Sequence, residues 1–156
     1  MALSVGDKAP AFTLVDTEKK PRSLSELLGK KTVLAFIPGA FTGVCTKELC
    51  TFRDSLESLR SLNTQIVAIS VDAPFSNKAF AEQCNLGFPV LSDYAREVSM
   101  KYGGVHNDFA GLRGYTAAKR SVFVLDSLGT VKYAWISENP GVEPDYEEVK
   151  KAVAAM

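Results

Sequence analysis

One histidine, one tryptophan and three cysteines are all that this 156-residue chain carries of those types. Three cysteines are too few, and odd in number, for the disulfide framework of a small secreted scaffold. They fit a reducing compartment with free or reactive thiols. The single histidine, His106, makes a poor zinc site with scattered cysteines, because zinc ligands come in closely spaced pairs. No Cys-x-x-Cys occurs, which disfavours a dithiol reductase, and the glycine-rich nucleotide fingerprints are missing too. Charge of either sign is also not in excess: 18 basic residues face 18 acidic ones. That balance lacks the basic surplus of a nucleic-acid binder. The segment Gly111 to Gly114 (GLRG) matches the short loop of a KH module, but four residues in a neutral chain carry no weight. No apolar run approaches a membrane span, and Met1 to Pro10 holds no signal-peptide core. The expectation is a cytoplasmic protein with no membrane or nucleic-acid partner and no metal or organic cofactor.

What is present is an ordinary folded chain. Hydrophobic residues make up 46% and charged residues 23%, so disorder is excluded. With no repeat and no linker of biased composition, residues 1–156 read as one domain. Thr32 to Ile37 (TVLAFI) and Gln65 to Val71 (QIVAISV) are continuous apolar runs of buried-strand length. Ser121 to Leu125 and Val131 to Ile136 flank a turn-like stretch with Gly129 and read as a hairpin. Cys45, Leu49, Phe52, Leu56 and Leu59 recur at steps of four and three, which puts them on one helix face within Gly43 to Leu62. Shorter helices are expected at Phe75 to Asn85, Arg96 to Tyr102 and Asp145 to Ala155. Strands alternating with helices, then a hairpin and a last helix, predict an α/β fold: a central sheet with helices on both faces. A thioredoxin-like fold comes first and a flavodoxin-like sheet second.

The chemistry concentrates in Pro38 to Cys50, PGAFTGVCTKELC, between a buried strand and the long amphipathic helix. Sites in α/β sheets gather at such strand ends. Thr42 is a natural N-cap, which makes Cys45 the N3 residue. A capping box carries an acidic residue there, matched to free N–H groups and the helix dipole. A thiol in that place is favoured as its nucleophilic thiolate. Position alone also fits an inert core thiol on the apolar stripe. Cys50 follows five residues later, about 140° around the helix and about 7.5 Å along it, with the Cα atoms about 8.7 Å apart. A disulfide needs less than about 7 Å. Bonding this pair therefore requires the first turns of the helix to unwind.

PGAFTGVC resembles the peroxiredoxin active-site pattern Pro-x-x-x-Thr-x-x-Cys. Val5 to Leu14, Phe88 to Asp93 and Ala118 to Asp126 resemble further blocks of that family, in order along the chain. The resemblance implies that Cys45 is the peroxidatic cysteine, oxidised by peroxide to sulfenic acid. It also implies that Thr42 touches thiolate and peroxide, that Pro38 shields the pocket from water, that Arg120 holds thiolate and peroxide oxygens, and that Glu48 orients Arg120. Fixed donors of this kind would stabilise the charge developing on the leaving oxygen. Apart from the resemblance, Arg120 reads more readily as a surface charge entering a strand.

The subtype signals are mixed. The Cys45-to-Cys50 step resembles the bacterioferritin-comigratory or Q-type peroxiredoxins, in which Cys50 would resolve Cys45 as an intramolecular disulfide recycled by a thioredoxin-like partner. AFTGVC and KELCTFRD also resemble one-cysteine E-type enzymes, in which a small external thiol would serve and Cys50 would be a bystander. Cys84 follows Phe80 by four residues, which places both on one core-facing side and reads as a structural thiol. A redox sensor or holdase switched by Cys45 oxidation is a third reading, opposed by the Thr42 and Arg120 companions of fast chemistry. Family members are dimers or monomers, so a homodimer is among the expected states.

Overall fold

The computed structural model describes residues 2–156. Along the chain run β1 (Thr13–Val15), β2 (Pro21–Ser23), α1 (Leu24–Leu27), β3 (Lys31–Phe36), α2 (Gly43–Arg60) and β4 (Thr64–Ser70). Then follow α3 (Pro74–Gln83), β5 (Val90–Ser92), α4 (Glu97–Lys101), β6 (Val105–His106), β7 (Ala117–Ala118), β8 (Ser121–Leu125), β9 (Val131–Ile136) and α5 (Tyr146–Ala154). The four strands and four helices expected from the sequence all form, with ends shifted by two residues or fewer. The elements not foreseen are β1, β2, β5, β6, β7 and α1, all four residues or shorter. Segments of that length hold barely one period of either pattern, so no repetition marks them in the sequence.

Seven strands form one sheet in the order β2-β1-β5-β4-β3-β8-β9. Strand β3 pairs parallel with β4, and β4 with β5, while β8 is antiparallel to β3 and to β9. An antiparallel hairpin joined to a parallel centre gives the mixed sheet of the thioredoxin-like expectation and rejects the flavodoxin-like alternative. Alternation along the strands divides the core in two. Val33, Ala35, Ile66, Ala68, Val122 and Val124 face one side, covered by α2, α3 and α5 through Leu49, Phe52, Phe80 and Val149. Leu34, Phe36, Val67, Ile69, Phe123 and Leu125 face the other, with Leu24, Leu27, Val98 and Tyr102. The five-residue stripe read on α2 is buried throughout. Each of its large apolar side chains contributes about 1.5–3 kcal/mol by leaving water. That packing locks the rotation of α2, and so the direction in which Cys45 points. Among the described residues no helix is long and apolar enough to cross a membrane.

Candidate active site

The turn from β3 into α2 is tightly held. The Ile37 N–H still donates to Ile69 O at 2.9 Å, but Pro38, buried and without an N–H, ends the pairing. The Ala40 N–H then donates to Asp72 Oδ2 at 2.7 Å, which fastens the turn to the carboxyl end of β4. Phe41 is held at φ 65, a left-handed conformation that disfavours bulky side chains. Its ring stacks edge-on to Phe80 at 5.2 Å, a contact that helps offset the strain. Thr42 is the N-cap as expected, with extended backbone, and its carbonyl accepts from the Thr46 N–H at 2.9 Å. Its hydroxyl does not cap: it donates to Gly39 O at 2.9 Å. The N–H groups of Gly43, Val44 and Cys45 therefore open α2 without intrahelical acceptors, and Cys45 stands at N3.

Arg120 closes the site from 75 positions away. Its Nη2 donates to Cys45 Sγ at 3.1 Å, and its Nη1 donates to Glu48 Oε2 at 3.3 Å. The Pro140 carbonyl accepts from the same guanidinium twice, at 3.2 Å from Nε and 2.9 Å from Nη2. Arg120 is only 1% exposed, which removes the surface-charge reading. A charge so buried must be partnered on all sides, and the rigid guanidinium fork suits three acceptors at once. Burial pushes the Glu48 carboxyl up to about 8, against the opposing pull of Arg120 and with added repulsion from Glu143. Its Oε1 has no hydrogen-bond partner. A carboxyl pushed up in this way holds its negative charge less readily, which leaves more of the arginine's charge to the sulfur.

The structure thus brings Cys45, Glu48 and Arg120 into direct contact, with Thr42 and Pro38 on the turn above them. Cys50 stands further along an unbroken α2, and all three cysteines are free thiols. Cys84 is buried at the C-cap of α3, in the core as expected. Three participants escaped the sequence reading. Asp72 lies two residues past the end of the buried strand β4, and a carboxylate in that place was a usable signal. The Pro140 carbonyl left none, being backbone. Tyr115, in the loop before β7, carries its hydroxyl 3.9 Å from where a Cβ on Gly39 would stand. Burial, the Asp72 carboxylate and, more weakly, Cys45 all push its phenol up.

Residues 5–134 match the model of the AhpC/TSA family. Chloroplastic peroxiredoxin Q of Sedum lineare is 39% identical over 130 residues, which is 83% of this chain and 67% of that protein. A wheat counterpart is matched over 59% of its length. The putative peroxiredoxin bcp of Coxiella burnetii is 36% identical over 86% of this chain and 89% of its own. Among solved structures, peroxidoxin BcpB from Mycobacterium tuberculosis superposes with a TM-score of 0.83 at 32% identity, covering 97% of this chain and 95% of that one.

Proposed function

This chain belongs to the AhpC/TSA family, and from that premise we propose a thiol-dependent peroxidase that reduces hydrogen peroxide and alkyl hydroperoxides through Cys45. The observation that carries the reading is the buried Arg120 guanidinium 3.1 Å from the Cys45 sulfur. A cation donating to sulfur favours the thiolate, which is the nucleophile. The thiolate attacks the distal peroxide oxygen, the O–O bond breaks, and the alcohol or water leaves once protonated. Negative charge grows on the departing oxygen. Arg120 and the free N–H groups of the first turn of α2 are donors fixed around that position, while the Thr42 hydroxyl, whose hydrogen goes to Gly39 O, is left to accept from the peroxide O–H. Glu48 acts through Arg120 as a positioning residue, and Pro38 walls the pocket against water.

Cys45 then carries a sulfenic acid. The first turns of α2 unwind, Cys50 condenses with it to a disulfide, and water is released. A thioredoxin-like dithiol returns both thiols by exchange. The cycle needs a reducing compartment such as the cytoplasm. Resolution by an external thiol is the second reading, supported by the unbroken run of α2 from Gly43 to Arg60, which separates the two sulfurs. One equivalent of peroxide followed by intact mass measurement decides. Loss of two hydrogens supports an internal disulfide; gain of one oxygen with Cys50 still alkylatable overturns it. Peroxide consumption unchanged in Cys45→Ser would sink the peroxidase assignment itself.

A further inference from the structure

Cys84 does not stand alone in the core. Arg53 lies one turn beyond Cys50 on the same flank of α2, and its Nη1 donates to the Cys84 carbonyl at 2.6 Å. That bond pins the end of α3 against the part of α2 that carries Cys50. Cys50 is half-buried and packs on the core cluster that contains Cys84 and Phe80. The two residues are neighbours across the α2–α3 contact: burial, and then the nearby Cys50, push the Cys84 thiol up, while Arg53 pulls it down. Both thiols are free.

We propose that Cys50 and Cys84 form a second redox pair, to which the disulfide first made at Cys45 is handed on within the chain. The inference rests on the peroxidase reading for its source of oxidising equivalents. The Cys84 thiolate attacks the Cys50 sulfur of the Cys45–Cys50 disulfide. The S–S bond to Cys45 breaks, Cys45 departs as thiolate, and a Cys50–Cys84 bond forms. Cys84 loses its proton to solvent and Cys45 is restored, so two electrons move and no further oxidant is needed. The physical cause lies in the helix. A Cys45–Cys50 bond holds the first turns of α2 open, because five residues of intact helix keep the sulfurs too far apart. A Cys50–Cys84 bond joins α2 to α3 where they already touch. Exchange lets α2 rewind and returns Cys45 to Arg120 and its N-terminal N–H groups. Cys50, being only half-buried, then presents the new disulfide to an external dithiol.

Trypsin separates the three thiols, because cleavage after Lys31, Lys47, Arg53, Lys78 and Arg96 puts Cys45, Cys50 and Cys84 in residues 32–47, 48–53 and 79–96. The full chain is given one equivalent of hydrogen peroxide, quenched with acid over a time course, alkylated and mapped. The 32–47/48–53 link should rise first and decay as the 48–53/79–96 link appears, with Cys45 alkylatable again. In Cys84→Ser the first link should persist as the end product, with the rate of Cys45 oxidation unchanged. Cys45 oxidised without any 48–53/79–96 link overturns the relay and leaves the peroxidase reading standing. A Cys45 that stays reduced at full peroxide consumption overturns the peroxidase reading instead. Diamide treatment of Cys45→Ser tests the pair without any peroxidase step: the 48–53/79–96 link is expected, and its absence refutes the pair.

Discussion

The Pro140 carbonyl accepts two hydrogen bonds from Arg120, at 3.2 Å from Nε and 2.9 Å from Nη2. A backbone oxygen in the loop after β9 therefore aims the guanidinium at the Cys45 sulfur together with Glu48. The guanidinium is thus held by two bonds to backbone besides the one to a carboxyl, which makes the fork itself the sensitive element.

Arg120→Lys keeps the charge and loses the fork. One ammonium cannot reach Pro140 O, Glu48 and Cys45 Sγ in the geometry seen here. The second-order rate of Cys45 oxidation should fall by about 10²–10³, the scale of losing one preorganised donor. Stopped-flow fluorescence of Trp135 gives the readout, and a loss below threefold would contradict the role.

Glu48→Gln should alter how stability depends on pH. The folded carboxyl sits near about 8, raised from an ordinary 4.5. Below 4.5 both folded and unfolded chains hold the proton. Between 4.5 and about 8 only the folded chain does, so stability falls as pH rises and levels off above that range, by at most about 1.4 kcal/mol per unit. Denaturant midpoints of the wild type measured against Glu48→Gln should therefore drop steadily from pH 5 to 8. A constant difference between the two proteins would refute the buried neutral carboxyl.

Asp72→Ala removes the acceptor from the Ala40 N–H and frees the turn that sets Thr42 above the thiol. A loss of about 1–3 kcal/mol in stability is expected, with slower Cys45 oxidation. Asp72→Asn retains an acceptor oxygen and should recover most of both. Equal behaviour of the two variants would mean that charge, not the anchor, is what matters.

Gly103→Ala places a methyl group 2.7 Å from Ser121 Oγ and 3.1 Å from Ser121 Cβ. Ser121 is fully buried and adjoins Arg120, so it has little room to yield. Overpacking of this kind costs about 1–3 kcal/mol. The melting temperature should fall, and adding Ser121→Ala should restore part of it by deleting the nearer atom. An unchanged melting temperature would show that β8 gives way freely.

Local order was legible because local forces make it. The continuous apolar runs of β3 and β4, the turn between β8 and β9, period three-and-four along α2, and the N-cap at Thr42 are written in neighbours, and each reappears in the structure. Cys45 and Arg120 were reached together only through the family pattern, since 75 residues separate them and nothing local joins them. Asp72 carried a local signal that went unread, whereas Pro140 and the nearness of Cys50 to Cys84 lay beyond either route.

The sparse residues tell the two levels apart. By itself the sequence determined that a thiol opens a long amphipathic helix after a buried strand, because burial and capping act on residues a few positions apart. Tertiary structure alone decided which cation meets that thiol, which carboxyl burial pushes up beside it, and which cysteine Cys84 neighbours. Those relations depend on β8, the loop after β9 and α3 being carried onto α2 by a sheet whose strands do not pair in chain order. Desolvation then sets the charge states, and it exists only once the chain has closed around them.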